Sequence, residues 1–525
     1  MKLVTAAQMR TIEQSSVEAG VSLDQLMENA GLAVAEAVRD EFGKHSELFG
    51  KRITTLIGPG NNGTDGFVAG RHLAKWGAIV TAVLCAKRNS SDPKQDSALA
   101  AGVSILNCNV NSGIDMLQEL LESTDLIIDA IIGTGSSRAI VDPISKITFV
   151  ALESGVPVLA IDLPTGVNSD TGKFDVAGLP ADRTLMLGYP KLGPMIAADP
   201  SVTGEISVLE IDIPSGLDLQ VNTDLITEYL AASLLPERPS DGHKGTFGST
   251  LIVGGSKDYL GAVTMATDAA TRSGVGLTFV ATPESAYRQI AGAISEAMYL
   301  SLPVDEDDNL QASEAANSVL ELAKKSTSVT IGPGLGTSSA TRKVISTVLY
   351  EMDNSTPFVI DADALNILSG MHRWWERFAN PAVMTPHAGE MGRLMGITSA
   401  EVQNNRINIS KQAAKKFKKV VVLKGASTLI ASPDGRISVS PWINTGLAKG
   451  GSGDALAGLL GGLVAQQPDQ LFEMAVLAVF IHGYAAEVAR QELGDTGMRA
   501  TDIIERLGLF YRDTAQLDFN YLRLR

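Results

Sequence analysis

Short apolar runs that stop at a glycine or a carboxylate alternate, along the whole chain, with stretches of helical periodicity. Residues 53–57, 79–84, 125–129, 158–162, 184–187 and 206–211 read as strands in the first half. In the second half the same reading covers 249–253, 277–281, 328–331, 357–360, 382–384 and 420–423. Helical patterns lie between them, as at 66–76 and 261–273. This alternation admits little besides βα units on a mainly parallel sheet. Such a sheet collects ligands beyond the C-terminal ends of its strands, so the residues that close each run are where chemistry is to be sought.

A chain of 525 residues is longer than one core carries, because domains mostly run ~50–250 residues. The alternation breaks at Asp212-Ile213-Pro214-Ser215-Gly216, and residues 235–245 are rich in Pro, Gly and polar side chains. The boundary is therefore expected near 216–225, ahead of a helix over 224–235, giving domains 1–220 and 221–525. A net charge of −16 excludes a sequence-independent nucleic-acid binder, which needs a basic surface. It leaves nucleotide binding open, since local N–H groups decide that. Cys85 and Cys108 make neither a disulfide framework nor a metal cluster. The first residues lack a signal-like apolar stretch, and no segment offers ~18 uninterrupted apolar residues, so the expectation is a cytoplasmic protein with no membrane partner.

The exits of the second-half runs are chemically dense. Gly450-Gly451-Ser452-Gly453-Asp454 precedes Ala455-Leu456-Ala457-Gly458-Leu459-Leu460, which reads as a buried helix. Glycines let backbone N–H groups approach a ligand, and the helix start adds partial positive charge, so the turn suits a phosphate. Asp454 beside it can take a proton from an attacking hydroxyl, and a cradle plus a base is what phosphoryl transfer requires. Other exits carry Gly332-Pro333-Gly334-Leu335-Gly336, Asp361-Ala362-Asp363, Thr385-Pro386-His387-Ala388-Gly389-Glu390 and Lys424-Gly425-Ala426-Ser427-Thr428. His387 offers an imidazole to a polar substrate. Glu390 suits Mg2+ held through water, and the Lys424 loop suits an adenine nucleotide.

Three first-half exits can converge on one crevice. Gly58-Pro59-Gly60-Asn61-Asn62-Gly63-Thr64-Asp65-Gly66 is not the Gly-x-Gly-x-x-Gly fingerprint. Its carboxamides and carboxylate supply oxygen ligands, which fits a monovalent cation together with a phosphate or ribose. Asp129-Ala130-Ile131-Ile132-Gly133-Thr134-Gly135 and Asp162-Leu163-Pro164-Thr165-Gly166-Val167 are the other two.

The glycine cradle, the Gly-Pro-Gly-Leu-Gly exit, Asp361-Ala362-Asp363 and Asp454 resemble the ribokinase-like fold, in its carbohydrate-kinase-like dehydratase branch. Together with Gln25-Leu26-Met27-Glu28-Asn29-Ala30-Gly31 and the first-half loops, residues 1–504 resemble the bifunctional NAD(P)H-hydrate repair enzyme family. The resemblance implies an α/β chain with an N-terminal Rossmann-like three-layer domain and a ribokinase-like α/β domain. It implies an epimerase acting on R- and S-NAD(P)HX, fused to a nucleotide-dependent dehydratase that returns NADHX and NADPHX to NADH and NADPH.

In the epimerase it implies that Asn61, Asn62, Gly63, Thr64, Asp65, Gly133, Thr134, Gly135, Ser136, Ser137, Arg138 and Ala139 bind the hydrate. Asp162 contacts the hydrated ring and is the acid/base, and Asn62, Asp129 and Thr165 hold K+. In the dehydratase it implies that Ala262, Gly334, Gly336 and His387 line the hydrate, and that Lys424, Gly425, Ala426, Ser427, Thr428 and Gly453 bind the nucleotide. Asp454 is the catalytic base, Mg2+ serves the phosphates, and ADP is expected ahead of ATP. A homo-oligomer is expected. Two departures stand out: His387, where simple kinases of the superfamily often carry Asn, and Thr64, where the family usually shows a second glycine. A β-branched residue restricts the loop there. The rival expectation is a kinase of a small alcohol or hydroxymethylpyrimidine fused to a dinucleotide-binding domain.

Overall fold

A computed structural model of the chain describes residues 1–42, 48–88, 92–108, 111–135, 139–197 and 199–514. It divides into two compact units, Met1–Thr223 and Asp224–Leu524.

In the first unit, β1 (Arg52–Ile57), β2 (Ile79–Leu84), β3 (Ser104–Asn107), β4 (Leu126–Ala130), β5 (Val158–Ile161), β6 (Arg183–Leu187) and β7 (Glu205–Leu209) form one sheet in the order β3-β2-β1-β4-β5-β6-β7. All recorded pairings are parallel. Successive strand residues serve opposite faces. Ile53, Ile57, Leu126 and Ile128 join one apolar cluster, while Leu56, Ile127 and Ile131 join another. Both faces are therefore apolar and covered by helices, which is the expected three-layer arrangement. The strand order reverses between β1 and β4, so the loops leaving them flank a crevice.

The Gln25–Gly31 motif has a packing reason. It lies on the helix Leu23–Glu41, which crosses the helix Asn61–Lys75 so closely that a Cβ on Gly31 would sit 2.4 Å from Val68 Cβ.

The second unit carries a sheet in the order β11-β10-β9-β12-β13-β14-β15-β16-β17-β8. Its strands are β8 (Thr223–Leu225), β9 (Ser249–Val253), β10 (Leu277–Pro283), β11 (Ala297–Leu302), β12 (Ser328–Ile331), β13 (Phe358–Ile360), β14 (Ala382–Met384), β15 (Val420–Leu423), β16 (Leu429–Ala431) and β17 (Ile437–Val439). β11 through β15 run parallel, and β16 and β17 turn back antiparallel. The helices Ser452–Gln466 and Leu471–Gly497 supply much of one apolar cluster. The latter is long and apolar enough to cross a membrane by composition, yet most of it is buried in the protein. Its apolar length therefore serves the core.

The expectation of a helix over 224–235 fails at its start. Thr223–Leu225 is a strand at the sheet edge, and the helix runs only from Glu228 to Ser233, with the Thr227 side chain accepting from Leu230 N–H. A Thr N-cap ends the extended segment and fixes the helix start behind it.

Candidate active sites

The crevice at the β1/β4 reversal is a cleft of about 630 Å3. Asn61, Asn62, Asp65, Gly133, Thr134, Gly135, Ala139 and Asp162 all line it. The helix expected from residue 66 begins instead at Asn61, with Gly60 as its N-cap, so Asn61 through Asp65 form its first turn. Thr64 is therefore in helical conformation, where a β-branched side chain is tolerated. Its Oγ1 accepts from Arg88 Nη2 at 3.0 Å, while Arg88 also donates to Gly58 O and Gly60 O and pairs with Asp92. Gly63 and Thr64 thus face Arg88 rather than the cleft, and Gly63 has no room for a Cβ beside Gly58 O. Ser136, Ser137 and Arg138 lie outside the described residues.

Asp162 follows β5 with φ at +67°, a left-handed backbone uncommon outside glycine. Its Oδ2 accepts from Thr134 N at 2.9 Å and Thr134 Oγ1 at 2.5 Å, and its Oδ1 meets Lys191 Nζ at 2.5 Å. Burial alone would raise its pKa. The Lys191 ammonium and the bonds from Lys191 and Thr134 outweigh that and hold the carboxyl below its ordinary range. Asp65 behaves oppositely: burial, with the Asp162 and Glu13 carboxylates nearby, pushes it well above that range, and its Oδ1 is buried without a partner.

Asp129 and Thr165 lie buried, with Asp129 0% exposed. Thr165 donates to Asp129 through N at 2.7 Å and Oγ1 at 2.8 Å, and Ile131 N adds a third bond. Even so, burial pushes Asp129 up to about 6. Lys191 and Glu13, which also line the cleft, were not anticipated. The Tyr189-Pro190-Lys191-Leu192-Gly193 turn after β6 is of the same strand-exit kind as the loops that were.

The second unit gathers its strand exits around Lys424, the residue after β15. Lys424 Nζ pairs with Asp361 Oδ1 at 2.8 Å, and Thr385 Oγ1 donates to the same oxygen at 2.7 Å. A Cβ on Gly453 would lie 3.2 Å from Lys424 Nζ, so the glycine turn closes over the ammonium. Gly451 is the N-cap of the helix Ser452–Gln466, at φ +95°, a conformation glycine adopts without penalty. Asp454 stands in that helix's first turn. Burial, reinforced by Asp361 and Asp363 and opposed by Lys424, pushes Asp454 up to about 6.

His387 is the N-cap of the helix Ala388–Met395: its Nδ1 accepts from Gly389 N at 3.0 Å and Glu390 N at 3.3 Å, while Glu390 Oε2 accepts from His387 N at 2.8 Å. The ring is thereby oriented, with Nε2 lying 3.5 Å from Glu390 Oε1. Burial, with Lys424 and Arg393 adding to it, lowers the His387 pKa, so the imidazole is neutral. Burial pushes Glu390 up to about 7 against the pull of Lys424. A Cβ on Gly334 would lie 3.0 Å from Ala262 Cβ, which places these two expected residues together, and Gly336 N donates to Asp363 Oδ2 at 2.8 Å. Gly425, Ala426, Ser427 and Thr428 form the turn between β15 and β16; Ser427 N donates to Trp442 O, and Thr428 Oγ1 to Gly425 O. Arg406, beneath this turn, was not anticipated.

Among the described residues, no three His, Cys, Asp or Glu side chains are grouped to hold a metal ion.

Residues 250–508 match the family described as NAD(P)H-hydrate dehydratase, and residues 23–193 the family described as YjeF-related protein N-terminus. A bifunctional NAD(P)H-hydrate repair enzyme Nnr from Moorella thermoacetica is 35% identical over 522 residues, covering 98% of this chain and 97% of that one. Its counterpart from Escherichia coli K12 is 32% identical over 499 residues, 93% of this chain and 89% of that one. Among solved structures, an ADP/ATP-dependent NAD(P)H-hydrate dehydratase from Bacillus subtilis, co-crystallised with ATP/Mg2+, matches with a TM-score of 0.49 at 30% identity, covering 56% of this chain and 99% of its own.

Proposed function

This chain belongs to the bifunctional NAD(P)H-hydrate repair enzymes, and from that membership we infer how its two sites share the repair. It is an isomerase and a lyase: it interconverts the epimers of NAD(P)HX and, with an adenine nucleotide, dehydrates the S epimer to NAD(P)H. The observation that carries this reading is the presence in one chain of both acids, Asp162 and Asp454, each beside its own glycine turn and set in an end-to-end family match.

In the first site the two carboxyl groups pushed in opposite directions divide the proton work. Asp65, pushed toward its protonated form by burial, gives a proton to the C6 hydroxyl, which departs as water as the ring-nitrogen electrons push in. Water returns on either face, Asp162 takes its spare proton, and exchange with solvent returns that proton to Asp65. Asn61 and the Gly133-Thr134-Gly135 turn bind the hydrate. Asn62, Asp129 and Thr165 would hold K+, a hard cation suited to their oxygens. The upward push on buried Asp129 supports this, since a cation beside it would favour the ionised carboxylate. The ion would supply positive charge beside a buried carboxylate.

In the second site Ala262, Gly334, Gly336 and His387 line the hydrate. Lys424, Gly425, Ala426, Ser427, Thr428 and Gly453 bind the nucleotide, for which we expect ADP. Asp454 takes the C6 hydroxyl proton as that oxygen attacks the terminal phosphoryl group. The ring-nitrogen electrons then expel phosphate, a far better leaving group than hydroxide, and the resulting iminium loses its C5 proton to the departing phosphate to give NAD(P)H. A base near pKa 6 is matched to neutral pH. Glu390 would hold Mg2+ through water, and the ion would neutralise phosphate charge.

The test is recovery of NADH absorbance from purified hydrated NADH. The S epimer should be restored only with ADP or ATP, one free phosphate should appear per NADH, and the R epimer should follow through epimerisation. A small-alcohol kinase would instead consume nucleotide without releasing phosphate.

A further inference from the structure

Arg406 is an interior cation without a counter-ion. It opens the helix Arg406–Phe417 and is only 8% exposed. Nη1 donates to Ala426 O, Nη2 to Leu423 O at 3.4 Å, and the buried Nε has no partner. Among the described residues no carboxylate pairs with it. Three penalties coincide here. A buried charge is normally paired. A cation at a helix N-terminus opposes the helix dipole. A buried N–H without a partner forfeits a hydrogen bond. Stability alone would be better served by an apolar side chain of the same length.

What Arg406 touches suggests what it is for. Its two acceptor carbonyls bracket the turn that carries Lys424, Gly425 and Ala426. A Cβ on Gly425, at φ +150°, would lie 3.0 Å from Nη2, so the guanidinium lies directly under that residue. The peptide groups it grips are held at their other ends as well, Lys424 N by Pro386 O and Ser427 N by Trp442 O. The N–H groups of Gly425 and Ala426 thus lie between two fixed peptide planes.

We propose that Arg406 is a positioning residue for the adenine nucleotide, set under the Lys424–Gly425–Ala426 turn and holding there a positive charge that the bound nucleotide's phosphates balance. This rests on the reading that the turn binds nucleotide. A strut and a nucleotide-balanced charge differ in the ligand-free protein. Losing a strut destabilises it, whereas losing an unbalanced charge does not.

The experiment uses the full chain with Arg406→Met and measures ADP affinity by calorimetry, with and without Mg2+, alongside the melting temperature without ligand. Affinity should fall ~10-fold or more, as expected for a lost charge-assisted interaction. KM for ADP should rise more than kcat falls, and the ligand-free melting temperature should hold or increase. Arg406→Lys keeps the charge but loses the two-carbonyl fork, so it should recover part of the affinity. Unchanged ADP affinity in Arg406→Met overturns the proposal, and so does weaker binding accompanied by a lower ligand-free melting temperature. If Arg406→Met does not fold, Arg406→Lys decides: weaker ADP binding at an unchanged melting temperature supports the proposal, and wild-type affinity overturns it. Lys424→Met separates the two levels. If it binds ADP as the wild type does, the turn is not the nucleotide site and the functional reading fails, whatever Arg406 does.

Discussion

The two sites keep one acid each, Asp162 and Asp454, in opposite electrostatic states. At the first, Asp162 is saturated with donors and paired with Lys191, and so stays ionised below the usual carboxylate range. At the second, one ammonium, Lys424, serves Asp361 directly, while Asp454 and Glu390 drift up to about 6 and about 7. At the first site the protein itself balances Asp162, while the neighbouring Asp65 and Asp129 are pushed up by burial. At the second, the raised acids surround a single ammonium, as suits chemistry that begins with proton transfer when a nucleotide arrives. Two strand-end sites in one chain can thus look alike in sequence and differ in what completes them.

The sharpest way to break this contrast is a reciprocal pair of substitutions. Asp454→Asn should lower dehydration by ~10²–10⁴, about 3–5 kcal/mol of barrier, and leave epimerisation nearly intact. Asp162→Asn should do the reverse. Separate rate measurements on the two epimers check both, and equal loss of both activities in either folded variant would mean that the sites are not independent.

A smaller effect should separate them by pH. Asp454 must be ionised to accept a proton, so dehydration should fall about tenfold per pH unit below its pKa of about 6. Asp162, held lower, stays ionised across that window, and epimerisation should persist there. Asp65, held high, must keep its proton, so epimerisation should fade on the alkaline side instead. Coincident acid limbs for the two activities would refute the assignment.

The smallest effect concerns Thr64→Gly. It removes the acceptor of one Arg88 bond and loosens a helix start, so the first unit should lose roughly 1–2 kcal/mol of stability. The KM of epimerisation should change little, because Thr64 faces away from the cleft. A large rise in KM would place Thr64 against the substrate after all.

Much of this architecture was legible in the sequence, for identifiable reasons. β2 and β9 occupy the residues read as strands because dense apolar runs are cut off by glycine or a loop. β8 and β3 were missed: Thr223–Leu225 and Ser104–Asn107 are short and carry little apolar pattern, so neighbouring strands make them extended rather than their own composition. The first turn of the helix Asn61–Lys75 read as loop because Asn and Gly are poor helix formers, and tertiary packing overrides that. Acids at strand ends announce themselves locally. Lys191 and Arg406 do not, since each acts on a partner 29 or 17 residues away. Arg88, 24 residues from Thr64, likewise explains a departure that looked unfavourable in isolation.

The left-handed backbone at Asp162 also narrows what that position can become. Asn and Asp tolerate it, glycine favours it, and other side chains incur roughly 1–2 kcal/mol. An alanine probe there would confound a strained peptide with a missing carboxylate, and asparagine is the substitution that isolates the chemistry. The same restriction acts on drift: a lineage that loses the acid at 162 while keeping the fold has few landing places, chiefly Asn or Gly. A relative with either residue at this position would identify itself as a former epimerase.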